Sequence, residues 1–182
     1  MTIGTRTRFF AVLFILSAIL PGCLLVSTTE HRIKVNDDGS GEAVLRMIDI
    51  RSDGSSDSSV AVDFGLMMAA FDSEGVRQFE AEGRHITGKQ FIVRNDTLVA
   101  EVTYAFDDLY AIEGLHVTKD ALYVIVGEDR EILKTNGKTS SAKHNATRIS
   151  WSRDARRLLY TIREKSFPKS TSLAGMYLRQ MR

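Results

Sequence analysis

Four histidines, one cysteine and two pairs of adjacent aspartates are the residues of this chain with the most chemistry in them. His31, His85, His116 and His144 lie at least 28 positions apart. A metal site legible in sequence brings its ligands together at short spacings such as His-x-x-x-His or Cys-x-x-Cys. Neither occurs, so no metal and no other cofactor is expected. Asn36-Asp37-Asp38-Gly39-Ser40-Gly41 puts oxygen ligands at positions one, three and five of a calcium loop and glycine at six. Position twelve is Met47, which cannot supply the bidentate carboxylate, so the stretch reads as a turn. Asp107-Asp108 reads as a helix cap. No Gly-x-Ser-x-Gly elbow, phosphate-binding loop or dinucleotide fingerprint appears, so no catalytic residue is assigned and an enzyme is not expected.

Cys23 remains. A lone thiol cannot form an internal disulfide, so its use lies elsewhere. Ahead of it stand Arg6 and Arg8, then the uncharged run Phe9–Leu20, then Gly22. A basic n-region, an apolar h-region and a small residue before a cut are the parts of a secretory signal. An uncleaved membrane helix over Phe9–Val26, 18 residues without a charge, competes with it, although Pro21 and Gly22 weaken such a helix. Leu20-Pro21-Gly22-Cys23 resembles the lipobox of bacterial lipoproteins, with Pro21 where Ala, Ser or Thr is usual. The resemblance implies that Cys23 becomes the first mature residue and carries a diacylglyceryl thioether and an acylated amine, palmitate among the chains. Two or more chains hold a protein stably on a bilayer where one does not. It also implies an extracytoplasmic place in the cell envelope. Leu24, in the place where Asp signals inner-membrane retention in enteric-type bacteria, implies the outer membrane in such a host.

The rest of the 182 residues must be positioned by ordinary secondary structure. A composition of 43% hydrophobic and 26% charged residues is that of a folded domain. His31–Asn36 and Glu42–Ile50 alternate around the turn and predict a hairpin. Val60–Phe71 carries apolar residues at helical spacing behind Ser58 and Ser59, and Ser73–Gly83 predicts a second helix. Phe64, Met67, Met68 and Phe71 are candidate ligand- or lipid-lining residues on the first of these, with core packing as the competing role. His85–Arg94 and Thr97–Phe106 predict a second hairpin, and Asp107–Gly114 a short capped helix. Further strands are expected at Ala121–Val126, Glu131–Thr135, Ala146–Trp151 and Arg157–Arg163.

Together these predict an α+β fold, an antiparallel sheet of about six to eight strands with two or three helices packed on one face. The domain plan is a signal peptide over 1–22, a lipid-anchored tether over 23–30 and a single domain over 31–182. Lipobox, early turn and the run Val102–Leu109 also resemble the LppM-type lipoprotein domain, which implies a mixed fold and no function.

Charge is unevenly spread. Residues 23–129 hold 9 Lys and Arg against 20 Asp and Glu, and residues 130–182 hold 13 against 3. Pairing between neighbouring strands accounts for part of this. The remainder points to a basic patch, with Arg153, Arg156, Arg157, Lys165 and Lys169 as candidates to face anionic headgroups. The expected function is a non-enzymatic binding or lipid-handling module on the membrane, or else a structural, protein-interaction subunit of an envelope assembly. Nucleic acid is not an expected partner of an exported domain.

Overall fold

A computed structural model describes residues 24–182. Strand β1 (Leu24–Val35) turns through Asn36–Ser40 into β2 (Gly41–Ser52). Asp38 Oδ1 accepts from the Ser40 backbone N–H at 3.0 Å and the Ser40 hydroxyl at 2.7 Å, and these bonds hold its carboxyl below the usual range. Gly41 is required: a Cβ there would lie 2.1 Å from the Lys34 carbonyl oxygen and 2.5 Å from the Phe106 ring.

Residues 24–30, expected as a tether, are the first half of β1 and pair with β2. Thr28, Thr29 and Val26 are β-branched and suit a strand, although Ser27–Glu30 lacks the apolar alternation that marks one. The alternation of β2 also inverts. Ala43, Leu45 and Met47 pack inward, then Ile50, with Asp49 at φ 60° between them. The register opposite β1 is unbroken there, Ile48 facing Thr28 and Ile50 facing Val26, so the inversion goes with the left-handed backbone at Asp49 and not with an inserted residue.

Helix α1 (Asp57–Ala70) opens on a capping box, Ser56 and Ser59 each bonding the other's backbone N–H. Helix α2 (Ser73–Glu80) follows at once, with Gly75 so close to the Ala70 carbonyl oxygen that a Cβ would lie 2.0 Å from it. Strands β3 (Arg84–Arg94) and β4 (Thr97–Phe106) are joined by Asn95 and Asp96, both at positive φ, as a two-residue hairpin loop demands. A one-turn 3₁₀ helix, Leu109–Ala111, is capped by Asp108. Then come β5 (His116–Val117), β6 (Ala121–Val126), β7 (Arg130–Thr135), β8 (Lys138–Ser141), β9 (Thr147–Ser152), β10 (Arg157–Glu164), β11 (Thr171–Ser172) and helix α3 (Ala174–Gln180).

The fold is mixed α+β and mostly antiparallel sheet. The strands are more numerous than expected and form two sheets instead of one. The larger runs β3-β4-β2-β1-β10-β7, with β11 paired to the end of β2; the smaller runs β5-β6-β9-β8. Asn136-Gly137 between β7 and β8 has the composition of a tight hairpin, yet its flanking strands part into different sheets. Asn136 braces the parting. Its Oδ1 accepts from Trp151 Nε1 in the small sheet at 2.7 Å and from the Leu159 N–H in the large sheet at 2.8 Å.

Two apolar clusters hold the molecule together. Val102, Tyr104 and Phe106 of β4 pack with Leu122, Val124, Ile149 and Trp151 of the small sheet. Leu98 and Ala100, further along the same strand, pack with Ile50, with Val60, Phe64 and Met67 of α1, and with Leu173 and Ala174 at the start of α3. Helix α2 instead reaches the first cluster through Phe79, edge-on to Tyr104 at 4.9 Å. The opposite side of the large sheet carries a cross-strand row of Gln90, Glu101, Arg46 and Glu30, bonded in that order from β3 to β1.

Candidate functional site

The end of α1 meets the rim of the large sheet at a groove. Phe71 closes the helix, its N–H bonded to the Met67 carbonyl at 3.2 Å, and Asp72 turns the chain toward α2. Opposite lies β3, the last strand of its sheet, where Lys89 and Phe91 fall on the face turned toward α1. Lys89 Nζ donates to the Phe71 carbonyl at 2.6 Å and ties strand to helix end. The Phe91 ring lies 4.2 Å from Phe71 and 5.3 Å from Tyr177 of α3. These rings, with Met68, Ala69 and residue Gln90 of β3 between Lys89 and Phe91, line an open groove of about 550 Å³. Its lining combines three aromatic rings and a thioether with the charged Lys89 and Asp72.

Of the four residues expected to line a ligand site, the structure brings two here, Met68 and Phe71. Phe64 and Met67 lie inside the second apolar cluster, at 7% and 5% exposure. Met68 and Phe71 are half-buried and also pack against that cluster, so they serve core and groove together. Phe91 and Tyr177 complete the groove without having been read from sequence. The signal for Phe91 was an aromatic residue on a strand at the sheet rim; Tyr177 lies in a C-terminal segment whose helix went unread.

The five candidate basic residues do not gather. Arg153, Arg156 and Arg157 sit at the β9–β10 turn, where Arg156 Nη2 pairs with Asp37 at 2.8 Å. Lys165 and Lys169 lie beyond the far end of β10, about 26 Å away along an eight-residue strand. Arg163 and Arg130, near that end, are matched to Glu131 and Glu164.

A second polar cluster is buried. Arg84, 4% exposed, lays its guanidinium 3.8 Å over the Phe79 ring, binds Glu82, and stands 3.8 Å from Glu113. Burial pushes the Glu113 carboxyl up to about 7, against the attraction of Arg84 and with the help of Glu82. Burial likewise pushes the Tyr104 hydroxyl up to about 12. The Arg84 Nε and the Glu113 Oε1 have no hydrogen-bond partner among the described residues. One buried cation thus serves two carboxylates.

The histidines stay apart. His31 stacks on Tyr160 at 4.4 Å, and burial lowers its pKa to about 4, which keeps the ring neutral. His85 faces Asp107 at 3.1 Å, His116 stacks on Tyr123, and His144 lies in the β8–β9 turn at φ 57°. Among the described residues no group of three His, Cys, Asp or Glu side chains is placed to hold a metal ion. Cys23, the candidate lipidation residue, and the candidate signal peptide lie outside the described residues. Compared with family models, curated proteins and solved structures, the chain matches none of them.

Proposed function

We propose that this chain is a lipid-anchored protein of the bacterial cell envelope, extracytoplasmic and held by Cys23, whose domain is a non-enzymatic binding module. The groove between α1 and β3 is its receptor, and an apolar group displayed on a lipid or on an envelope protein is its ligand. The observation that carries this reading is the convergence of Phe71, Phe91 and Tyr177 from three separate elements on one open groove. Apolar side chains at a surface are unremarkable singly; converging rings around a concavity are the usual makings of a binding site.

The filled core beneath α1 favours recognition at the surface over enclosure of a whole lipid, since Phe64 and Met67 occupy the space between helix and sheet. That observation also supports the second reading, a structural or protein-interaction subunit of an envelope assembly. In both, the groove does the recognising.

Titration with N-phenyl-1-naphthylamine, an apolar fluorescent probe, tests the groove. The mature domain should bind it, and Phe91→Ala and Tyr177→Ala should each weaken binding by about 10- to 150-fold, since an aromatic side chain lost from a buried contact is worth about 1.5–3 kcal/mol. Leu133→Ala, on exposed β7, should bind as the parent does. Equal binding in all four proteins would remove the groove from the account.

A further inference from the structure

The strand β1 begins at Leu24, the residue next to Cys23, so the structured domain starts about 3.8 Å from the anchoring position. No slack separates the two. Whatever surrounds the first residues of β1 must therefore meet the bilayer whenever Cys23 is held there.

A loop crosses beside them, next to the end of β2, which runs on from Ser52 through Asp53 toward α1, while Leu24 and Val26 pack against the cluster of Val60 and Leu173. Leu24 and Leu25 pair with Ser52 and Arg51 of β2. Strand β10 flanks β1 on one side as far as Thr28, opposite Arg163, while β11 flanks β2 on the other, Thr171 opposite Ser52 and Ser172 opposite Arg51. The chain leaving β10 at Glu164 must cross the ends of both β1 and β2 to re-enter as β11. Residues 165–170 make that crossing. The loop is fastened at both ends: the Lys165 N–H and Nζ donate to the Asp129 and Glu128 carbonyls at 2.9 and 2.7 Å, and Arg51 donates to the Ser170 hydroxyl and carbonyl at 2.8 Å. Between the fastenings Ser166, Pro168 and Lys169 are exposed and Phe167 is half-exposed.

We propose that the β10–β11 loop, Lys165–Ser170, is the surface of the domain that rests on phospholipid headgroups, an inference that rests on the reading of Cys23 as acylated. Its chemistry suits that place. Phe167 and Pro168 offer apolar bodies at headgroup depth, and Lys169, which has no partner among the described residues, offers a cation to phosphate. The nearby acids limit the charge term: Asp53 follows Ser52, which lies opposite Leu24 and Thr171, Glu164 is held by Arg130 at 2.7 Å and Asp49 by Arg51 at 3.3 Å, while Glu128 and Asp129 lie beside Lys165. Placement is thus set by the short anchor, with Lys169 and Phe167 making the contact compatible. Arg153, Arg156 and Arg157 belong to the opposite end. Arg157 pairs with Lys34, ten residues up β1 from Leu24 and about 33 Å away, so these three face away from the lipid.

Cys23 is the only cysteine, so an introduced thiol can be labelled alone once Cys23 is acylated. Ser166→Cys, Lys169→Cys and Arg153→Cys, all at exposed positions, are made in the full chain, labelled with bimane and placed in phosphatidylethanolamine/phosphatidylglycerol vesicles containing a headgroup nitroxide lipid. Quenching at 166 and 169 should exceed that at 153 at least threefold. Equal quenching, or stronger quenching at 153, overturns the placement while leaving the anchor standing. Bimane labelling of Cys23 itself in the parent chain would show a free thiol, and anchor and placement would fall together.

Discussion

Arg84 sits between two carboxylates in a place that water barely reaches, and the consequence is a titration near neutral pH. In the unfolded chain Glu113 ionises near 4.5; in the fold its carboxyl is raised to about 7. Below the lower value the group is protonated in both states and favours neither. Between the two the unfolded chain loses the proton first, so this group's contribution to stability falls as pH rises and is fully lost above about 7. Glu113→Gln removes the titration. Urea midpoints of parent and variant should agree at pH 4 and begin to part by pH 5, and at pH 8 the variant should be more stable by something on the order of 1 kcal/mol, a figure discounted for the carboxyl's remaining solvent contact. A parent as stable, relative to the variant, at pH 8 as at pH 5 would contradict the shift. At this scale half of the groove was legible. Met68 and Phe71 follow from helical spacing, whereas Phe91 and Tyr177 meet them only through tertiary packing that no local pattern encodes.

Elements were legible where alternation or capping is strong. Both long hairpins, α1 and the Asp108-capped turn follow from local chemistry, although α1 starts at Asp57, three residues before Val60, and its N-cap is Ser56 instead of Ser58 or Ser59. The misses have physical reasons. Strands β5 and β11 have two residues each and β8 is exposed throughout, so none carries a hydrophobic period to read. Helix α3 begins on Leu173 without a side-chain cap and contains Gly175. The first half of β1 is polar in its middle, and its pairing comes from β2 and β10 on either side. Two substitutions test the joints. Gly41→Ala forces a methyl against the Lys34 carbonyl and the Phe106 ring, and should cost about 2–4 kcal/mol in urea unfolding. Leu98→Ala, at a fully buried position in the cluster beneath α1, should cost about 3 kcal/mol.

Across the whole molecule the missing information was partnership. Alternation says that a segment is a strand and which of its faces is apolar, yet β6, β8 and β9 pair among themselves for reasons spread over the core. Asn136 shows how the two sheets are joined: Asn136→Ala strands Trp151 Nε1 and the Leu159 N–H at once. It should destabilise by about 2–3 kcal/mol, and a loss within 0.5 kcal/mol would show that the bracket is replaceable. The charge asymmetry also resolves only at this scale. Arg156–Asp37 joins the acidic and basic halves, while Arg163–Glu131 and Arg130–Glu164 close within the basic one. The proposed place in the envelope and the proposed orientation of the loop both hang from one residue, since both rest on acylation of Cys23. Metabolic labelling with palmitate, comparing the parent with Cys23→Ala, tests this most directly. The account predicts a labelled, processed parent and an unlabelled, unprocessed variant; label and processing undiminished in Cys23→Ala, or a parent that takes up no palmitate, would contradict it.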